Sequence, residues 1–230
     1  MRPMPRPVYT KRSKLIAQGA HPCDLASVVT AMAAIHDALR TTFGRTCVVH
    51  ASFNKEELHK LCTLDEMDEL FFRELFELFT APLGQPMLSA SIKYQTKSRI
   101  ARASFHFDST LESMHISITV PKQGIPRPHV ITLAESIIDT LDPLWVVYTN
   151  RALIDALYRL YPRYFRTAWL TYHAGFEPEL PWFRTIETLE TSRGPMAVAK
   201  RGWFGRTDED FLEELFDLDE LIEDDSAYDW

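Results

Sequence analysis

Phosphate-binding loops are missing from this 230-residue chain: no G-x-x-x-x-G-K-[ST], no G-x-G-x-x-G and no G-x-S-x-G occurs. That removes the commonest nucleotide-binding and nucleophile-elbow chemistries. Cysteine is scarce. Cys23, Cys47 and Cys62 are an odd number at no recognisable spacing, which points to reduced thiols in a cytoplasmic protein rather than a disulfide framework. No run of about eighteen apolar residues is present, so no helical membrane span is expected. The opening MRPMPRPVYTKR is basic and proline-rich without the apolar core of a signal peptide. No repeat and no Gly/Ser-rich linker divides the chain. Finally, positive charge is absent from one end: Thr207 to Trp230 carries twelve Asp and Glu and no Lys or Arg.

That last absence explains the net charge of −7, since the remaining residues hold 20 acids against 25 bases. A negative field confined to one end is a sharper fact than the overall charge. Apolar residues make up 46% of the chain, an ordinary globular share. A chain of this length buries about 70 to 75 per cent of its unfolded surface and needs no metal or disulfide to fold. One domain is expected over residues 13–222, with a flexible basic arm at 1–12 and an acidic tail at 223–230.

The clearest pattern runs from Met114 to His173. Met114, Ile116, Ile118 and Val120 alternate with His115, Ser117 and Thr119, the period of a half-buried strand. A Pro/Gly-rich loop from Pro121 to Pro128 interrupts it. Thr132 and Glu135 form a capping box ahead of Ile137, Ile138 and Leu141. Pro143 stops that helix, and Leu144 to Tyr148 reads as a buried strand. Asn150 can cap a helix with Leu153, Ile154, Leu157, Leu160 and Tyr161 on its buried face, and Ala168 to Tyr172 is another strand.

Elsewhere, Asp24 to Phe43 predicts a long helix with Leu25, Val28, Val29, Met32, Ile35 and Leu39 buried, stopped by Gly44. Cys47 to Ala51 suits a short strand. Asn54 with Glu57, and Thr63 with Glu66, make two capping boxes. The second opens a helix to Phe79 whose apolar stripe of Leu64, Met67, Leu70, Phe71, Leu75, Leu78 and Phe79 is expected in the core. Pro82 and Gly84 end it. Ile100 to Phe107 alternates and should pair with Met114 to Val120 as a hairpin through Asp108, Ser109 and Thr110. Arg184 to Leu189 and Pro195 to Lys200, around Ser192, Arg193 and Gly194, suit a second hairpin or a helix–strand turn. Asp208 to Ile222, capped by Thr207 or Asp208, is a final helix with Phe211, Leu215, Leu218 and Ile222 on one side. These elements predict an α+β fold: a mixed, mainly antiparallel sheet of about five strands with packed helices in a single domain.

Catalytic candidates are thin. His50, with His59 and Cys62 as an i, i+3 pair expected on a helix, supplies too few converging groups for a zinc site. His21 and Cys23 straddle a proline with nothing to orient the base. His106, Asp108 and His115 could do acid–base work on one sheet face, though an exposed polar hairpin face is the plainer account. Tyr161, Tyr164, Phe165, Trp169 and Tyr172 with Arg159, Arg163 and Arg166 resemble a nucleic-acid surface, yet half of those aromatics fall where the core needs them. No catalytic residue, metal or cofactor is expected.

The acidic end stands out as a partner-binding site: Asp210, Glu213, Glu214, Asp217, Asp219, Glu220, Glu223, Asp224 and Asp225, with Tyr228 and Trp230 as aromatic anchors. Spaced carboxylates imitate a phosphate backbone and speed association with a basic surface. The same stretch also suits the solvated end of an ordinary domain.

At ISITVP, the helix from Thr132 to Leu141, LWVVYT and AWLTYH, the sequence resembles the immunity protein 52 family of bacterial polymorphic toxin systems. The likeness extends through Thr185 to Trp203 and covers the second half of the chain. It implies a non-enzymatic cytoplasmic protein that binds and neutralises a cognate toxin, often a nuclease with a basic cleft delivered by contact-dependent (type VI) secretion. It implies no direct nucleic-acid or membrane partner, and a homodimer stays open. No residue role carries over, so the site rests on charge. The rivals are a hydrolase-type enzyme using His106, Asp108 and His115, and an adaptor whose acidic tail recruits a basic partner.

Overall fold

The computed structural model describes residues 13–19, 46–53, 56–62, 88–95, 100–107, 114–119, 126–160, 167–175 and 183–222, with helical positions among 29–39 and 70–74. The expected arm at 1–12 and tail at 223–230 lie outside these residues. Ten strands form one sheet: β1 (Ser13–Gly19), β2 (Thr46–Phe53), β3 (Glu56–Cys62), β4 (Leu88–Gln95), β5 (Ile100–Phe107), β6 (Met114–Thr119), β7 (Trp145–Asn150), β8 (Leu170–His173), β9 (Ile186–Thr191) and β10 (Gly194–Ala199). Their spatial order is β3-β2-β4-β5-β6-β1-β7-β8-β10-β9. Every neighbouring pair is antiparallel. The α+β class stands, with ten strands among the described residues in place of about five and no parallel pair among them.

The extra strands have separate causes. β1 holds only Leu15, Ile16 and Ala17 as an apolar core, too short for a periodic signal, yet it joins the two halves of the sheet. Leu15 pairs with both Ile118 and Tyr148, and Ala17 with both Ile116 and Val146. All six are buried, whereas Lys14 and His115 on the opposite face are exposed. β3 is the expected helix start at Asn54 and Glu57 overturned: Glu57 lies inside a strand, opposite Ser52. Local capping chemistry there loses to strand pairing with β2. His59 and Cys62 accordingly sit on a strand, not on a helix. β4 alternates Leu88, Ala90, Ile92 and Tyr94 with Ser89, Ser91, Lys93 and Gln95, a legible strand that the expectation above omits.

Three helices have defined limits: α1 (Arg127–Leu141), α2 (Arg151–Leu160) and α3 (Glu209–Leu221). α1 begins five residues before the expected box at Thr132. Pro126 is its N-cap position and Pro128 lies in the first turn, where the missing N–H has no intrahelical acceptor to lose. Thr132 and Glu135 are therefore helix interior. Asp142 ends α1 with φ of 45°, followed by buried Pro143. α1 buries Val130, Leu133, Ala134, Ile137, Ile138 and Leu141 and lies against β1, β7 and β9.

Asn150 caps α2 as expected: its Oδ1 accepts the Leu153 N–H at 2.9 Å. Leu153 and Leu157 are buried, but Leu160 is 47% exposed, which corrects its place on the core face. Its register keeps Leu160 on the side of Leu153, and it is exposed as the last residue of the helix. Val29, Met32, Ile35 and Leu39 are buried at helical positions, in line with the first long helix. Phe71 packs against the core, while Leu70 is 60% exposed and leaves the expected stripe. Leu64, Met67, Leu75, Leu78 and Phe79 are outside the described residues. The strand expected at Ala168 starts two residues later at Leu170. The segment from 184 to 200 is a hairpin, β9–β10, and Gly194 takes φ of 127° beside its turn, a conformation open to glycine.

Candidate partner-binding surface

The acidic helix α3 is anchored by four fully or nearly buried side chains, Phe211, Leu212, Leu215 and Leu218, with Ile222 just beyond. Their spacing puts them on one side of the helix. Beneath its N-terminal end is an aromatic wedge. Trp203 stacks on Phe211 with centroids 6.5 Å apart, and Phe204 stacks on Tyr148 at 5.5 Å and 7°. Trp169 leans on both Tyr148 and Phe204 and donates from Nε1 to the Arg206 carbonyl at 2.7 Å. Arg206 lies over the Trp203 ring at 5.4 Å. Thr167 Oγ1, also buried, donates to the Leu215 carbonyl at 3.1 Å. The helix is thereby held at both its start and its middle.

Glu214 fixes the rotation of α3. Its Oε2 accepts the Thr185 N–H at 2.8 Å and the Thr185 hydroxyl at 2.6 Å. Its Oε1 accepts the Arg184 N–H at 3.1 Å and Arg184 Nε at 3.4 Å. Burial pushes the Glu214 carboxyl up, but the hydrogen bonds from Thr185 and Arg184 outweigh it and hold the group below its ordinary value. Thr185 itself is wholly buried. Glu214 is thus a tether between α3 and the strand leading into β9.

With the helix so oriented, Asp210, Glu213, Asp217 and Glu220 are all exposed. Spacings of three, four and three residues place them within one narrow face, spread over about 15 Å of helix. Asp210 keeps one cation near it, Arg184 Nη2 at 3.6 Å, and the pair is well exposed, so solvent screens it. Glu209 is also exposed, and it and Asp210 sit in the first turn where the helix dipole favours anions. Asp219 is half-buried. Asp208 occupies the N-cap without a side-chain cap bond, its Oδ2 3.9 Å from Arg206 Nη1. Glu223, Asp224, Asp225, Tyr228 and Trp230 lie outside the described residues.

Of the other candidates, His106 and His115 are directly opposite one another on β5 and β6, as the hairpin reading requires, and His115 is exposed. Asp108 lies outside the described residues, as do His21, Cys23, Tyr161, Arg163, Tyr164, Phe165 and Arg166. His50 pairs with His59, and Cys47 with Cys62. Among the described residues no three His, Cys, Asp or Glu side chains converge to hold a metal ion, and no helix is long and apolar enough to cross a membrane. Trp169 and Tyr172 are core residues. Burial chiefly, with Asp142 adding and Arg193 opposing, pushes the Tyr172 phenol up.

The fold has a known counterpart. The protein described as "Pseudomonas aeruginosa T6SS protein PA0821" superposes with a TM-score of 0.53, covering 81% of this chain and 67% of that one at 12% identity. At that identity the likeness shows the fold alone. No family model matches the chain, immunity protein 52 included, and no curated protein matches it.

Arg184 and Thr185, which orient the acidic face, are not apparent in the sequence as partners of Glu214. They stand thirty and twenty-nine residues from it, and no local period links such positions.

Proposed function

We propose that this protein is a toxin-neutralising immunity protein that binds its partner stoichiometrically, with the exposed face of α3 meeting a basic cleft. The observation that carries the reading is the rigid presentation of Asp210, Glu213, Asp217 and Glu220 on one face, with no Lys or Arg after Arg206. A nuclease must hold a polyanion, so its cleft is lined with cations. A pre-oriented row of carboxylates meets such a cleft at little entropic cost. The fold likeness to a protein of a type VI secretion system supports this reading. Glu214 belongs to the fold rather than to the docking face, and residues 223–230 add four further acids to this end of the sequence.

The test uses the product of the adjoining gene as the toxin. Asp210→Asn, Glu213→Gln, Asp217→Asn and Glu220→Gln together should abolish protection of cells expressing that toxin and slow association, while the melting temperature holds. Full protection by the quadruple variant would remove α3 as the docking face.

A further inference from the structure

β2 and β3 form the outermost hairpin of the sheet, with β3 at one edge. The antiparallel register makes Cys47 and Cys62 directly opposed Cα partners, at the end of the ladder away from the connection between the strands. Opposed residues of an antiparallel pair share a face of the sheet. Their Cα atoms stand about 4.5 or about 5.5 Å apart, according to whether the pair exchanges backbone hydrogen bonds. A disulfide spans Cα separations of about 4.4 to 6.8 Å, so both spacings lie inside its Cα range, and the closer, non-hydrogen-bonded kind also brings the Cβ atoms nearest to the separation the bond needs. A slip of one residue would place the two cysteines on opposite faces and forbid the bond. His50 and His59, three residues inward on each strand, fall on the other face.

We infer that Cys47 and Cys62 form a redox-active thiol pair, converted to a cross-strand disulfide by a small-molecule disulfide such as oxidised glutathione. One cysteine thiolate attacks the small disulfide, forming a mixed disulfide and releasing one small thiolate. The second cysteine thiolate then attacks the protein-side sulfur of that mixed disulfide, forming the Cys47–Cys62 bond and releasing the second small thiolate. Two electrons pass to the small disulfide, and the two protons lost by the cysteines are taken up by the two released thiols. The new bond closes a ring of sixteen residues, 47 to 62, and ties the edge strand to its neighbour. In a reducing compartment the pair rests as thiols and closes only under oxidation, the usual standing of such pairs there. Neither cysteine lies on the acidic helix, so the inference is independent of the proposed partner.

The experiment treats the full-length folded protein with excess oxidised glutathione, alkylates the remaining thiols and maps the peptides by mass. The expected product is lighter by two hydrogens, with the Cys47 and Cys62 peptides linked, Cys23 alkylated, and the linkage lost on adding dithiothreitol. Cys23→Ser should give the same linkage, and Cys47→Ser should leave Cys62 as a mixed disulfide or alkylated. The same oxidant in urea should spread linkages over all three cysteines. Linkage through Cys23, persistent mixed disulfides at both Cys47 and Cys62, or a native preference no greater than that in urea would each overturn the inference.

Discussion

Replacing Glu214 with alanine tests whether the orientation of α3 depends on one half-buried carboxylate. The substitution strips four donors of their acceptor: the Thr185 N–H and hydroxyl, the Arg184 N–H and Arg184 Nε. Thr185 is inaccessible to water, so its N–H loses a bond that nothing else replaces, at about 1 to 3 kcal/mol. Its hydroxyl can rotate toward another acceptor and costs less. Arg184 is 71% exposed, and water takes over its share, leaving about 0 to 1 kcal/mol for the ion pair. The sum is about 2 to 4 kcal/mol, or about 4 to 16 °C in melting temperature for a chain of this size.

The pH dependence adds a second, sharper readout. The Glu214 carboxyl is held below its ordinary value in the folded protein, so its stabilising effect is fully present above the unfolded value, about 4.3. It is lost as pH falls from there through the folded value. The stability gap between wild type and Glu214→Ala should therefore be constant near neutrality and narrow in acid. Glu214→Gln, which also lacks the titrating carboxyl but keeps an acceptor oxygen, should show a smaller gap at neutral pH that narrows in acid by the same amount. Thermal melts at a series of pH values measure this. Coincident melts of wild type and Glu214→Ala at neutral pH would refute the tether.

Other expectations follow from the same geometry. In stopped-flow kinetics the quadruple variant of Asp210, Glu213, Asp217 and Glu220 should associate about ten- to a thousand-fold more slowly at low salt. Its rate should also depend less on salt, and removal of residues 223–230 should act in the same direction; rates unchanged at two salt concentrations would sink the electrostatic account. Leu215→Ala, at a wholly buried position, should cost about 2 to 5 kcal/mol in urea denaturation. Leu70→Ala, at a 60% exposed position, should stay within about 0.5 kcal/mol, and a large loss would return Leu70 to the core. Asn150→Ala removes the acceptor for the Leu153 N–H and should cost about 0.5 to 2 kcal/mol, with Asn150→Asp largely neutral.

The sequence by itself determined what depends on neighbours within a few residues. Alternation set β5 and β6 and the opposition of His106 to His115. Asn150 at the head of an apolar helical stripe marked the start of α2, and the spacing of Phe211, Leu215 and Leu218 set the buried side of α3. The concentration of acid at one end needed only counting. Tertiary structure decided the rest, because those outcomes join residues that no local period connects. β1 is central only because Leu15 meets Ile118 and Tyr148, more than a hundred residues away along the chain; its own seven residues carry little apolar pattern. The segment at Glu56–Cys62 has capping chemistry that favours a helix, and pairing with β2 overrides it. Glu214 reads as one carboxylate among twelve until the fold brings buried Thr185 against it. Hydrogen bonds from Thr185 and Arg184 then turn that half-buried carboxylate into a fixed acceptor, while Asp210, Glu213, Asp217 and Glu220, one face further round the same helix, stay exposed.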